Sequence, residues 1–232
     1  MLKIENTEVM GWKAAIRGMR NPMNSWAMSD SGPCATHGPD HCSDCTYGST
    51  CHAVPADIET KYIIGPKDLD LMTRLRNAGT DHRKFMRMIT VYCDITAPLY
   101  WWKEFDTYKV GTVANSCSTM HKIADKDFTL EDFSCEHLNN FMLNSLKGTI
   151  DHLNLARRNY LEIRNKDWWW QMIQLLPTSY NQRRTVMTNY EVLANMRGSR
   201  KNHKQDEWHV LCDWIDSLPY SELITGKNEE GW

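Results

Sequence analysis

Residues 82–121 read HRKFMRMITVYCDITAPLYWWKEFDTYKVGTVANSCSTMH, and the fold turns on how this stretch is read. Met88-Ile89-Thr90-Val91-Tyr92 is apolar and β-branched, which suits a buried strand. The chain then passes Pro98 into a helix carrying adjacent aromatics, Tyr100, Trp101 and Trp102. It ends in small polar residues from Gly111 to Thr119, a composition that lets a backbone approach a ligand closely. Composition alone also fits a core strand and helix followed by a surface loop.

The totals set bounds on the rest. A chain of 232 residues can bury a real core, as one domain over 1–232 carrying an insertion. With 41% hydrophobic and 24% charged residues it is globular rather than disordered. Lys+Arg 27 against Asp+Glu 29 gives a formal charge of −2, so no global field holds long nucleic acid or an anionic membrane, although a local basic pocket is allowed. No apolar run has the length of a bilayer span, and MLKIENTEV lacks a signal-peptide core. The expected location is cytoplasmic, which favours thiols or metal ligands over disulfides for the eight cysteines. Ten tryptophans, including Trp168-Trp169-Trp170, point to large packed or oligomeric surfaces.

Working outward toward the N-terminus, a helix over Pro66–Asn77 is expected, with Asp68 and Asp70 in its first turn and Gly79 stopping it. Before it, residues 29–57 read SDSGPCATHGPDHCSDCTYGSTCHAVPAD, an insertion loop without hydrophobic periodicity. Cys34, His37, Cys42, Cys45 and Cys51 form a candidate zinc set, since Cys-x-x-His and Cys-x-x-Cys spacings let two side chains reach one tetrahedral ion. The spacing fits no standard zinc finger, and the alternative is a loop with free thiols. At the start of the chain a strand over Leu2–Val9 precedes a helix. Arg17 and Arg20 share one face of that helix, either as a solvated basic edge or as an anion contact.

Toward the C-terminus, Asp125–Leu146 reads as a helix burying Leu130, Phe133, Leu138, Phe141 and Met142. Leu146–Ile173 reads as one long helix with a break at Gly148. Thr185–Asn195 reads as a helix start, Arg197, Arg200, Lys201 and Lys204 as a basic patch, and Gln205–Leu218 as a final amphipathic helix. Cys117 beside Ser118, with His121 following, is a weak thiol-and-base candidate because no third orienting group is evident. His82 reads as a structural residue.

Two stretches resemble the flavin-dependent thymidylate synthases of the ThyX type. Leu176-Pro177, then Asn189-Tyr190-Glu191-Val192-Leu193, then Arg200, then Gln205-Asp206-Glu207-Trp208-His209 follow the order and spacing of that family's Leu-Pro, Asn-x-Arg-x-Leu, arginine and Gln-x-Glu-Ile-Arg. In residues 82–121, Thr107-Tyr108-Lys109 stand on the family's Arg-His-Arg, Thr112 on its first loop serine, and Ser118-Thr119-Met120-His121 on Ser-x-Arg-Tyr. The resemblance covers residues 60–218. It implies an α+β fold, an antiparallel sheet with long helices, assembled as a homotetramer. It also implies inter-subunit sites that bind FAD beside dUMP and methylate the uracil.

The departures fall on the charged positions. Thr107, Tyr108 and Lys109 replace two arginines and a histidine, while Met120, Glu191 and Ile173 each replace an arginine. Ser118, Asn189, Arg200 and Gln205 persist, and the resemblance puts Arg200 at the pyrimidine base and Ser118 at the nucleotide phosphate. The resemblance thus implies a degenerate active site that keeps a nucleotide-binding cleft, without an assigned catalytic residue. The candidate nucleotide-binding residues are Arg200, Ser118, Lys109, Tyr108, Asn115, Thr119, Asn189, Gln205 and Trp101. The expected ligand is a pyrimidine nucleotide or a nucleotide second messenger. In a phage, in the host cytoplasm, such a protein would act as a sponge for a nucleotide signal. The alternatives are an active FAD-dependent synthase acting on dUMP, or an oligomeric structural module.

Overall fold

The computed structural model describes residues 2–34, 54–55 and 61–226. The first elements are strand β1 (Lys3–Met10), helix α1 (Trp12–Arg20), strands β2 (Gly32–Pro33), β3 (Val54–Pro55) and β4 (Lys61–Ile63), and helix α2 (Pro66–Asn77). Strand β5 (Thr90–Pro98), helix α3 (Leu99–Phe105), strand β6 (Val113–Ser116) and helix α4 (Thr119–Lys122) follow. The last are helices α5 (Asn140–Ile163) and α6 (Lys166–Leu175), strand β7 (Asn181–Asn189), and helices α7 (Tyr190–Arg200), α8 (Asp206–Asp216) and α9 (Glu222–Thr225). The fold is α+β, with a four-stranded sheet in the order β1-β5-β7-β6 and a small antiparallel sheet in the order β2-β4-β3. Among the described residues no helix is long and apolar enough to cross a membrane. Contacts group the chain into two compact units.

The first unit comprises Met1–Glu5, Asp94–Thr107 and Ala114–Thr185. Its core joins Leu146, Ile150 and Leu153 of α5 to Met172 of α6 and to Ile123, Phe128 and Phe133. The spacing of the α5 residues places them on one helical stripe. The expected break at Gly148 does not occur, because one glycine weakens a helix without ending it. The helix ends at Arg164, which is left-handed with φ 57°. Asp125–Asn139 is not helical apart from a single 3₁₀ turn at Leu130–Asp132. Asn154 clamps Phe128 there, accepting from its N–H at 2.8 Å and donating to its carbonyl at 2.9 Å, and Arg157 donates to the Ala124 carbonyl at 2.9 Å. Phe133 is buried, but Leu138, Phe141 and Met142 are exposed, Phe141 by 74%, so the expected apolar face is only half used.

The second unit comprises Asn6–Cys93, Tyr108–Val113 and Val186–Trp232. Helix α2 has the expected limits, with Pro66 in the first turn, where its missing N–H costs nothing. Trp12 of α1 is fully buried, 5.2 Å edge-on to Tyr190. Gly11 at the start of α1 has φ 94°, and a Cβ there would collide with the Met88 carbonyl. Arg17 is exposed, but Arg20 is not a solvated edge. It is 4% exposed and paired with Asp68 of α2, so burial with a carboxylate partner replaces both expected roles.

Two further expectations change. Residues 83–88 form a 3₁₀ segment, so the strand expected at Met88 starts at Thr90 and runs on to Pro98. Thr185–Asn189 belongs to β7 rather than to a helix. Its buried residues Val186 and Thr188 alternate with half-buried Met187 and Asn189, the two-residue period of a strand, and β7 sits between β5 and β6. The Gly111–Thr119 stretch is not all loop, since it contributes β6 at the sheet edge.

Candidate functional site

The second unit gathers residues far apart in sequence around Arg200. Helix α7 delivers Arg200 at its last residue, and α8 supplies Trp208, which is fully buried. Arg200 Nε donates to the Tyr108 hydroxyl at 3.0 Å. The guanidinium carbon stands 4.4 Å from the Trp208 ring centroid and 5.6 Å from that of Tyr108. The two rings meet edge-on at 6.2 Å, and the His203 ring lies 6.1 Å from Trp208. Such a cage holds a planar cation by ring quadrupole and hydrogen bond together. Gln205 caps α8, its backbone N–H donates to His203 Nδ1 at 3.2 Å, and its buried Oε1 accepts no hydrogen bond among the described residues.

Asn189 anchors the other end of α7. Its Oδ1 accepts from the Val192 N–H at 3.1 Å, an N-cap, and its Nδ2 donates to the Gly111 carbonyl at 3.3 Å. Gly111 has φ 78°, and a Cβ there would lie 2.9 Å from Asn189 Nδ2 and 3.1 Å from Val192. The Thr112 and Thr188 hydroxyls meet at 3.4 Å, and Lys109 is exposed. The segment 108–112 is thereby tied to α7.

Glu191, which stands where the resemblance has an arginine, is 6% exposed and does not leave a naked negative field. Arg87 Nε donates to its Oε2, Arg83 Nε lies 3.4 Å from its Oε1, and Arg83 Nη2 donates to Asn195 at 2.9 Å. The hydrogen bond to Glu191, followed by its charge, raises Arg87 above the ordinary arginine value. The charge change at 191 is thus matched by two arginines from the 3₁₀ segment.

The first unit holds the remaining candidates. A cavity of about 1100 Å³ is lined by Ser118, Thr119, Cys117, Gln182, Arg183 and Tyr180 among others. Ser118 caps α4, its Oγ accepting from the His121 N–H at 3.0 Å. Arg183 is tied to Asp94 at 2.7 Å, and that bond raises it further. Lys126 pairs with Asp132, a bond that raises the ammonium, while burial first and Asp132 second raise the Tyr180 phenol. At this mainly apolar cavity Arg183 and Lys126 are therefore each already paired with a carboxylate. Asn115 is exposed on β6. Trp101 is fully buried against Trp102 and Phe105, so its ring is core rather than ligand surface. Cys117 is exposed, and among the described residues no hydrogen bond joins its thiol to the His121 imidazole.

His37, Cys42, Cys45 and Cys51 of the zinc set lie outside the described residues, and Cys34 is half-buried. Among the described residues no group of three or more His, Cys, Asp or Glu could hold a metal.

Trp208, His203, Arg83 and Arg87 were not marked as site residues by the sequence. The spacing of Arg83 and Arg87, read beside an acid at Glu191, was the available signal.

No family model and no curated protein matches this sequence. Solved structures do match along its length. Thymidylate synthase X from Helicobacter pylori, with FAD and dUMP, aligns over 96% of each chain at 14% identity and a TM-score of 0.66. A second Helicobacter pylori ThyX structure, complexed with FAD and dUMP, aligns over 95% of this chain and 96% of its own at 16% identity and 0.62. The UMP/dUMP methylase PolB from Streptomyces cacaoi, bound with 5-Br dUMP, aligns over 97% and 95% at 10% identity and 0.54. The chain has the fold of the flavin-dependent thymidylate synthases of the ThyX type.

Proposed function

We propose that this protein binds a pyrimidine nucleotide through Arg200 and sequesters it without turnover, in a site completed between subunits of a homo-oligomer. The observation that carries the reading is the Arg200 cage. The side chain that the resemblance places at the base is held by Tyr108 and Trp208. Ordering a guanidinium in advance lowers the entropy cost of using its fork on a uracil carbonyl. Within the second unit Lys109 is assigned to the phosphate, and Asn189 and Gln205 support the Arg200 side. The matched structures bind dUMP, which makes it the first ligand to try.

The residues present do not fit FAD well. Where the resemblance has two arginines for the flavin, this chain offers Lys109 and Thr107, and the Thr107 hydroxyl is committed to the Glu104 carbonyl at 2.7 Å. One cation in place of two arginine forks is a poor match for a diphosphate.

The test is calorimetric titration of dUMP into the wild type and Arg200→Ala. Losing a charge-assisted hydrogen bond should weaken binding by about 10- to 100-fold. No binding by the wild type, or equal affinity in the variant, overturns the assignment. An active synthase is the second reading, favoured by the FAD and dUMP complexes of the matched structures. It requires a yellow protein with flavin absorbance after denaturation.

A further inference from the structure

A second cavity in the first unit uses none of these residues. It has a volume of about 320 Å³, within the usual range for small-molecule sites. Ile123 and Ala124 form a buried floor, Tyr160 and Trp169 form half-buried walls, and His121, Arg164 and Lys166 form an exposed rim. No carboxylate lines it.

Several observations set it apart from a chance hollow. The Trp169 indole N–H donates to the Met120 carbonyl at 3.0 Å, which fixes one aromatic wall to α4. The Arg164 guanidinium stands 5.7 Å from the Tyr160 ring, and the Lys166 ammonium stands 5.9 Å from that of Trp170. Among the described residues neither cation has a carboxylate partner. Arg164 also occupies a left-handed helix cap with φ 57°, where glycine is the ordinary residue.

We propose that this cavity binds a phosphate monoester carried on a planar ring, of the size of a nucleoside monophosphate. The ring lies against Tyr160 and Trp169, whose faces accept any flat heterocycle. The phosphate meets Arg164, Lys166 and His121, with the guanidinium fork matched to its oxygens.

The experiment is calorimetric titration of AMP, with inorganic phosphate and adenosine as separate arms, into the wild type, Arg164→Gly, Lys166→Gln and Arg200→Ala. Arg164→Gly removes the cation and relieves the left-handed strain, so lost binding cannot be ascribed to unfolding. The expected result is AMP binding that falls tenfold or more in Arg164→Gly and in Lys166→Gln, stays at wild-type strength in Arg200→Ala, and exceeds that of phosphate or adenosine alone. The proposal is overturned if AMP does not bind, if the two rim variants bind it as the wild type does, if Arg200→Ala weakens it equally, or if either half of the ligand binds as tightly as the whole.

Discussion

Arg20 and Asp68, 48 residues apart, form a buried ion pair: Nε and Nη2 of the arginine each lie 2.6 Å from Asp68 Oδ1. The other carboxylate oxygen accepts from the Ser29 and Ser31 hydroxyls, both at 2.6 Å, and from the Ser31 N–H at 3.1 Å. Asp30, between those serines, accepts from the N–H groups of Lys67 and Asp68 at the first turn of α2. One ion pair therefore joins α1, α2 and the start of the Cys/His-rich insertion.

Replacing Asp68 with Asn strands Arg20 in the core and should cost about 3–5 kcal/mol, measured by urea unfolding. Burial pushes the Asp68 carboxyl up, but hydrogen bonds from Ser29, Ser31 and Arg20 and the Arg20 charge outweigh it and hold the group below its ordinary value. Its contribution to stability is therefore present above the unfolded value of about 3.9 and is lost as the pH falls through the depressed folded value. Asp68→Asn should lose this acid-dependent component, visible as a flatter dependence of unfolding free energy on pH below about 4.

Placing at position 191 the arginine of the resembled motif should damage the protein. Glu191→Arg would set three guanidiniums together with Arg83 and Arg87, and Glu191→Gln would leave those two without their shared carboxylate. Arg87 is more than half exposed, so solvent softens the loss. A drop of about 2–3 kcal/mol is expected for Glu191→Gln, with a larger one for Glu191→Arg. Pairing Glu191→Arg with Arg87→Glu should recover part of the stability in a double-mutant cycle; full additivity would rule out the pairing.

Tyr108→Phe keeps the ring beside Trp208 and removes the oxygen that accepts from Arg200. Nucleotide affinity should fall by about tenfold, the worth of one hydrogen bond to a charged group. Arg200→Lys should fall further, since an ammonium has no fork. Isothermal titration with dUMP distinguishes these, and a Tyr108→Phe variant with wild-type affinity would show that the cage does not order Arg200 for binding.

Gly111→Ala and Asn189→Ala test the tie between the 108–112 segment and α7. Asn189→Ala removes the N-cap of α7 and should cost about 1 kcal/mol. Gly111→Ala faces both φ 78° and a crowded Cβ, so it should cost at least as much. Thermal unfolding reads both, and a stabilised Gly111→Ala would contradict the left-handed turn.

Elements whose signals are local were legible in the residues alone. Pro66, Asp68 and Gly79 delimit α2 within a single stretch of chain, and the spacing of Trp208, Leu211, Cys212 and Ile215 announces α8. The order Leu176-Pro177, Asn189, Arg200, Gln205 was also readable, and with it the fold. The other elements depend on partners remote in sequence, which local patterns do not reveal. Thr185–Asn189 is a strand since β5 and β6 flank it, and the chain before α5 is irregular where Asn154 and Arg157 hold the backbone at Phe128 and Ala124. At position 191 the sequence shows an acid where the resembled motif has an arginine. Only the fold brings Arg83 and Arg87 to it, because a buried carboxylate is tolerated where long-range packing supplies its countercharge.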